Sequence, residues 1–192
     1  TQRENFNEDI QALTLLAPLA GAAMANAQRH ALLKPQSDVD AHEARTDALT
    51  GVGNRRQADE LLAHARPGDV LVIAGLDHFK RINDTYGHQV GDQVIRAFTD
   101  HLRVSLCDRD QIARIGGEEF LVLLPATGVS RATETFERIR RTWHSAPAHT
   151  TFSAGLARVD PTESPQRTLE RCDQALYTAK NAGRDRITTC AD

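Results

Sequence analysis

The sequence predicts an α+β fold, in which helices are mixed with a sheet that contains an antiparallel hairpin. Residues 114–120 read Arg-Ile-Gly-Gly-Glu-Glu-Phe between the apolar runs Gln111–Ile115 and Phe120–Leu124, a hairpin with two carboxylates at its tip. Val70–Ala74 is a continuous apolar run of the kind a central strand needs when both its faces are buried. Around them lie segments whose apolar residues recur every three or four positions, the period of a helix.

The elements follow in order. Residues 1–34 carry a long helical pattern, opened by Asn5 and Glu8 as a capping box and closed by Pro35. Ile10, Leu13, Ala17, Ala20, Met24, Ala27 and Ala31 form a heptad seam, the pattern of a helical dimer stalk. A helix packed on its own domain, or the last helix of a truncated upstream domain, reads the same way. Pro18 lacks a backbone donor and should kink or split this helix. The segment 1–36 is therefore expected to be a signalling or dimerisation helix, and 37–46 a linker. After the strand at Val70, Gln89–Leu106 repeats apolar residues at Val90, Val94, Phe98 and Leu102, hence a helix. The hairpin follows, then a helix from Ser130 to His144 and a strand over Thr150–Val159. Leu169, Cys172, Leu176 and Ala179 mark an amphipathic helix ended by Gly183 in the C′ position, and Arg186–Thr189 is a short last strand.

Bulk properties narrow the function. At 192 residues with 40% hydrophobic content, the chain holds one domain of ordinary size plus an appendage. A formal charge of −3 argues against a surface built for nucleic acid, so phosphate binding must come from a local cluster. Cys107, Cys172 and Cys190 are an odd set without C-x-x-C spacing, which indicates neither a disulfide framework nor a zinc knuckle and fits the cytoplasm. No apolar run approaches the roughly 20 residues of a membrane span.

The glycine pair at the hairpin tip is a turn signal, because both residues tolerate positive φ and let a ligand approach the backbone. The acids after it sit where a divalent cation and a phosphate chain can meet, since Mg²⁺ prefers one or two carboxylates plus substrate oxygens. A solvated hairpin tip is the plain alternative. A second segment, running from Asp77 through His78, Phe79, Lys80, Asn83 and His88 to Asp92, changes that balance. Together with Asp47-Ala-Leu-Thr-Gly-Val-Gly-Asn-Arg-Arg56 and Lys180-Asn-Ala-Gly-Arg184, these motifs resemble the GGDEF family. Its members are diguanylate cyclases, which condense two GTP into cyclic di-GMP. The signature has its Gly-Gly-Glu-Glu-Phe form here, and the resemblance covers roughly residues 45–190, a GGDEF domain expected over 47–190. The N-terminal segment resembles the end of a GAF-type sensor leading into a signalling helix.

The resemblance implies a central mixed sheet flanked by helices, related to the palm-like core of adenylyl cyclases. It implies Mg²⁺ or Mn²⁺ as cofactor, GTP as substrate, a homodimer and an upstream sensor domain. Glu118 becomes the metal-binding carboxylate and proton acceptor, with the Leu76 carbonyl and Glu119 as further metal contacts. Adjacent strand residues point to opposite faces, so Glu118 and Glu119 cannot both meet one metal undistorted. Lys80 follows the first strand, where a flexible point charge can stabilise a triphosphate in the transition state. The backbone around His78 and Phe79, together with Gly116 and Gly117, lines the nucleotide. Asn83 and Asp92 correspond to guanine readers, and their chemistry suits N1–H and the N2 amine. His88 between them reads as a packing or capping residue. Lys180 and Arg184 bind phosphates in the family, and Arg114 is a further phosphate or inter-subunit candidate.

Two departures stand out. The family's first strand ends in Asp-x-Asp, whose first aspartate is a metal ligand, whereas this chain reads Gly75-Leu-Asp77. Asp77 should share the face of Gly75 and could reach in, although the chain is leaving the strand there. Lost ligand charge slows turnover tenfold for each ~1.4 kcal/mol of transition-state stabilisation removed. An inactive GTP-binding regulatory module is therefore the rival reading, and a dimerisation element for a missing sensor is a third. Members with product inhibition carry Arg-x-x-Asp before the signature; Cys107-Asp-Arg-Asp110 lacks that arginine, so no ordinary inhibitory product site is expected.

Overall fold

The computed structural model describes residues 45–144 and 150–190. The expected helix over 1–36 and the linker up to residue 44 lie outside the described residues. In chain order the elements are α1 (Arg55–His64), β1 (Val70–Leu76), α2 (Phe79–Tyr86), α3 (His88–Ser105), β2 (Gln111–Arg114), β3 (Glu119–Leu124), α4 (Val129–His144), β4 (Phe152–Arg158), α5 (Pro165–Asn181) and β5 (Ile187–Thr189). The strands form one sheet in the order β2-β3-β1-β4-β5, antiparallel throughout except for the parallel pair β4 and β5. This is the expected mixed sheet.

β1 is central and every one of its residues is buried, as its unbroken apolar run requires. Alternation along it divides the core in two. Val70, Val72, Ala74 and Leu76 pack with Phe98 and Leu102 of α3 and Phe136 and Trp143 of α4. Leu71 and Ile73 pack with Leu61 and Leu62 of α1 and Cys172 and Leu176 of α5. Helices therefore cover both faces. On the first face the Phe98 ring lies 5.4 Å from Phe120, 5.1 Å from Trp143 and 5.0 Å from Phe152, centroid to centroid. On the second, burial pushes the Cys172 thiol up to about 12, and its Sγ donates to the Leu71 carbonyl at 3.2 Å. That thiol is an inert core group.

Two helices go beyond the sequence reading. α1 starts where the Asn54 side chain accepts from the Gln57 amide at 3.2 Å, and it buries Ala58, Leu61 and Leu62. α2 has eight residues, buries only Phe79 and Ile82, and is not capped by a side chain. α5 ends as expected, with Gly183 at φ 111 just past the C-cap Ala182. His88 does not pack or cap: it is an exposed residue at the start of α3, whose N-cap position is held by Gly87.

Candidate functional site

The hairpin tip is tied down by Arg114. Its Nη2 and Nε donate to the Gly117 carbonyl at 2.7 and 3.2 Å, and its Nη1 meets Asp47 at 3.2 Å. The Ile115 amide closes the turn onto the Glu119 carbonyl at 2.9 Å. Burial would raise the Asp47 carboxyl, but hydrogen bonds from Thr50 and Arg114 outweigh it and hold the group below the ordinary carboxylate range. The sequence singled out Arg114 as a phosphate or inter-subunit group; here its guanidinium shapes the turn. The expectation of positive φ at the glycine pair is corrected, since neither Gly116 nor Gly117 adopts it. What these glycines supply is room: a Cβ at Gly117 would meet nothing within 4 Å, and one at Gly116 would lie 3.5 Å from Glu119 Oε2.

The turn delivers its acids to the end of β1. The Leu76 amide donates to the Glu118 carbonyl at 3.2 Å, so these two predicted metal contacts are backbone neighbours. Gly75 pairs with Glu119 on one side and Ser153 on the other. Glu119 Oε1 receives Lys180 Nζ at 3.2 Å, from the last turn of α5. A Cβ at Gly75 would lie 3.3 Å from that same nitrogen and 3.5 Å from Glu119 Cγ. Lys180 thus occupies the space that Gly75 leaves open.

Asp77 does not reach in, contrary to one expectation. It is 1% exposed and accepts from Thr151 Oγ1 at 2.7 Å, Ser153 Oγ at 2.8 Å and the Asp185 amide at 3.0 Å. This carboxylate pins β4 and the segment after α5 to the end of β1. Sequence reasoning gave Thr151, Ser153 and Asp185 no part in the site. Among the described residues no group of three or more His, Cys, Asp or Glu side chains is arranged to hold a metal ion. The donors at hand are Glu118 with the Leu76 carbonyl, and Glu119 with its ammonium partner.

The remaining candidates surround this strand end. His78, with a left-handed φ of 53, turns the chain from β1 into α2 and gives the first amides of α2 no side-chain cap, while its carbonyl accepts from the Arg81 amide at 2.9 Å. Lys80 is exposed in that first turn, whereas Phe79 is buried. Asn83 on α2 and Asp92 on α3 belong to two helices packed together. Asn83 Oδ1 is buried without a hydrogen-bond partner, and a Cβ on Gly91 would come within 2.0 Å of it. Arg184 has φ 63, and its amide donates to the Ala179 carbonyl at 3.0 Å, which places it in the cap of α5 beyond Lys180. A cleft of about 680 Å³ adjoins Glu119, lined by Arg55, Ile73, Ile115 and Arg171 among others.

Fold and site together define a palm-like α+β domain whose acidic turn meets the end of a central strand. The family model described as "Diguanylate cyclase, GGDEF domain" matches residues 44–186, and the chain belongs to this family. It is 43% identical over 159 residues to diguanylate cyclase DgcP of Pseudomonas aeruginosa, a match covering 76% of this chain and 24% of that protein. It is 38% identical over 159 residues to the response regulator PleD of Caulobacter vibrioides, covering 74% of this chain and 35% of that protein. The chain thus spans from about a quarter to about a third of these relatives. Among solved structures, the coiled coil and GGDEF domain of DgcB from Caulobacter crescentus, in complex with c-di-GMP, matches with a TM-score of 0.78 and 34% identity. That match covers 92% of this chain and 99% of that one. The active GGEEF domain of a diguanylate cyclase from Vibrio cholerae matches with a TM-score of 0.62 and 29% identity, over 72% of this chain and 92% of that one.

Proposed function

We propose that this chain is a diguanylate cyclase domain that condenses two GTP into cyclic di-GMP and two pyrophosphates, acting as a dimer. The observation that carries the reading is the meeting of the signature turn with the end of β1, where Glu118 and Leu76 are joined backbone to backbone. A 3′-hydroxyl of one GTP attacks the α-phosphorus of the other. The new O–P bond forms as the bond to the β-phosphate oxygen breaks, and two such steps close the ring. Glu118 takes the hydroxyl proton, Lys80 and the backbone at the start of α2 hold phosphate oxygens, and Lys180 and Arg184 hold the leaving end. Arg114 keeps the turn in shape. Asn83 and Asp92 read guanine from the packed helices α2 and α3.

Diguanylate cyclases use a divalent metal, and Mg²⁺ or Mn²⁺ bound by Glu118 and the Leu76 carbonyl would supply charge to the phosphate oxygens. Each domain offers half a reaction centre, so two loaded domains must face each other. The N-terminal segment, coupled to an upstream sensor, would control that encounter in the cytoplasm, where GTP is made and used. Among the described residues no helix is long and apolar enough to cross a membrane. Feedback by product is absent, because exposed Cys107 stands where the gripping arginine would be and Asp110 instead accepts from its amide at 2.9 Å.

A second reading is favoured by one observation: Gly75 contributes no carboxylate and Lys180 fills its place. The domain would then bind GTP and signal to a partner without forming product. The test is cyclic di-GMP production from GTP with Mg²⁺ or Mn²⁺, read by ion-exchange chromatography, for the parent chain and Gly75→Asp. The flexible end of Lys180 can yield to the new side chain, so the variant should fold. Product from the parent supports the cyclase, with a rise of at least about tenfold expected in Gly75→Asp, a ~1.4 kcal/mol gain in the transition state. Product from Gly75→Asp alone would assign the natural protein to GTP sensing.

A further inference from the structure

Lys180 holds a position that a phosphate contact alone does not explain. Its ammonium is 3.2 Å from Glu119 Oε1 and 3.3 Å from the point where a side chain at position 75 would begin. The same pocket therefore lacks an acid on β1 and contains a cation that neutralises the acid on β3. Glu118 lies on the opposite side of the turn with the Leu76 carbonyl, and Asp77 is saturated by Thr151, Ser153 and the Asp185 amide. A divalent ion at Glu119 would have to displace this ammonium, and Gly75 offers no second carboxylate in exchange. The donor set on the Glu119 side does not fit a metal; it fits the cation already there.

We propose that Lys180 is the built-in cation of the Glu119 side of the site, and that it lets this chain bind the phosphates of a guanine nucleotide without a divalent ion. The proposal rests on the GTP reading of the site. An ammonium is a compact point charge on a flexible stem, able to swing from Glu119 to a phosphate oxygen. Gly75 is the residue that permits this, because a carboxylate there would hold Lys180 and restore a cluster of acids for a metal.

The experiment is calorimetric titration of the whole chain with 3′-deoxy-GTP, which lacks the attacking hydroxyl and cannot be turned over. It is run in excess Mg²⁺ and in EDTA, with thermal melts to confirm folding of each variant. The parent should bind within about threefold in the two conditions, while Lys180→Met should weaken about tenfold in EDTA and recover with Mg²⁺, which the freed Glu119 can then share with phosphate oxygens of the nucleotide. Lys180→Arg should retain binding in EDTA, and Gly75→Asp should become dependent on Mg²⁺. Parent binding seen only with Mg²⁺ overturns the proposal and leaves the GTP reading standing. An equal loss in both conditions for Lys180→Met also overturns it, since that marks an ordinary phosphate contact. Failure of all four proteins to bind in either condition rejects the GTP reading itself, and the proposal with it.

Discussion

Arg114 and Asp47 show how one residue pair can set the shape of the site without entering it. The guanidinium and carboxylate side chains are 15% and 21% exposed, so their 3.2 Å contact is shielded better than a surface pair. Because Asp47 titrates lower when folded than when unfolded, its ionised form adds stability above the unfolded value of about 4. That contribution is lost as pH falls through the folded value. Thermal melts across pH should show Asp47→Asn less stable than the parent at neutral pH by about 1–3 kcal/mol, the worth of hydrogen bonds to a charged group. The gap should close on acidification below about pH 4. Parallel curves for the two proteins down to acid would remove Asp47 as the source. At this scale the sequence singles out residues wherever a motif carries its own chemistry, as with Glu118, Lys80 and Gly75. It was silent where the partner is far along the chain. Asp77 finds Thr151, Ser153 and Asp185 at separations of 74, 76 and 108 residues, and no local pattern announces such a meeting.

Among elements, strength of periodic signal decided what could be read. β1 declared itself by an unbroken apolar run, and α3 and α5 by long amphipathic repeats. α2 is too short for a period to show, and its first residues belong to a motif that reads as loop chemistry. α1 was missed although Ala58, Leu61 and Leu62 recur at helical spacing, since its start overlaps the Asp47–Arg56 motif. The contact between β4 and α5 was also invisible, because it depends on what Gly155 lacks. A Cβ there would fall 2.1 Å from the Cys172 carbonyl oxygen and 2.3 Å from the Leu176 nitrogen, both backbone atoms that cannot rotate away. Gly155→Ala should push α5 off the sheet and cost about 1–3 kcal/mol, with Tm lower by roughly 2–10 °C in a chain of this size. Gly128→Ala is the control: its Cβ would meet nothing within 4 Å, and Tm should stay within about 2 °C of the parent. Equal melting of both variants and the parent in calorimetry would mean that β4 and α5 are less tightly apposed than the structure has them. The consequence reaches the site, since Lys180 and Arg184 ride on the end of α5.

For the molecule as a whole, the chemistry sets a condition that a single domain does not meet. Under the proposed cyclase reading, one half-site would hold one GTP and ring closure would need a second GTP in the opposite orientation, so turnover should depend on assembly while nucleotide binding should not. The heptad seam of the N-terminal segment, with Met24 at its middle, is the feature of the sequence suited to joining two copies. A lysine at a seam position places like charges face to face in an apolar interface and strips them of water, which a paired helix tolerates poorly. Met24→Lys is therefore expected to shift the chain from dimer to monomer by light scattering on a sizing column. Cyclic di-GMP formation should fall by at least about tenfold, a loss of ~1.4 kcal/mol at the transition state. Titration with 3′-deoxy-GTP should give the same affinity as the parent, because each guanine and phosphate contact lies within one domain. If the variant stays dimeric, the seam is not the interface. If it becomes monomeric and keeps full turnover, the two-domain mechanism is wrong, since a lone half-site would then be closing a ring that needs two.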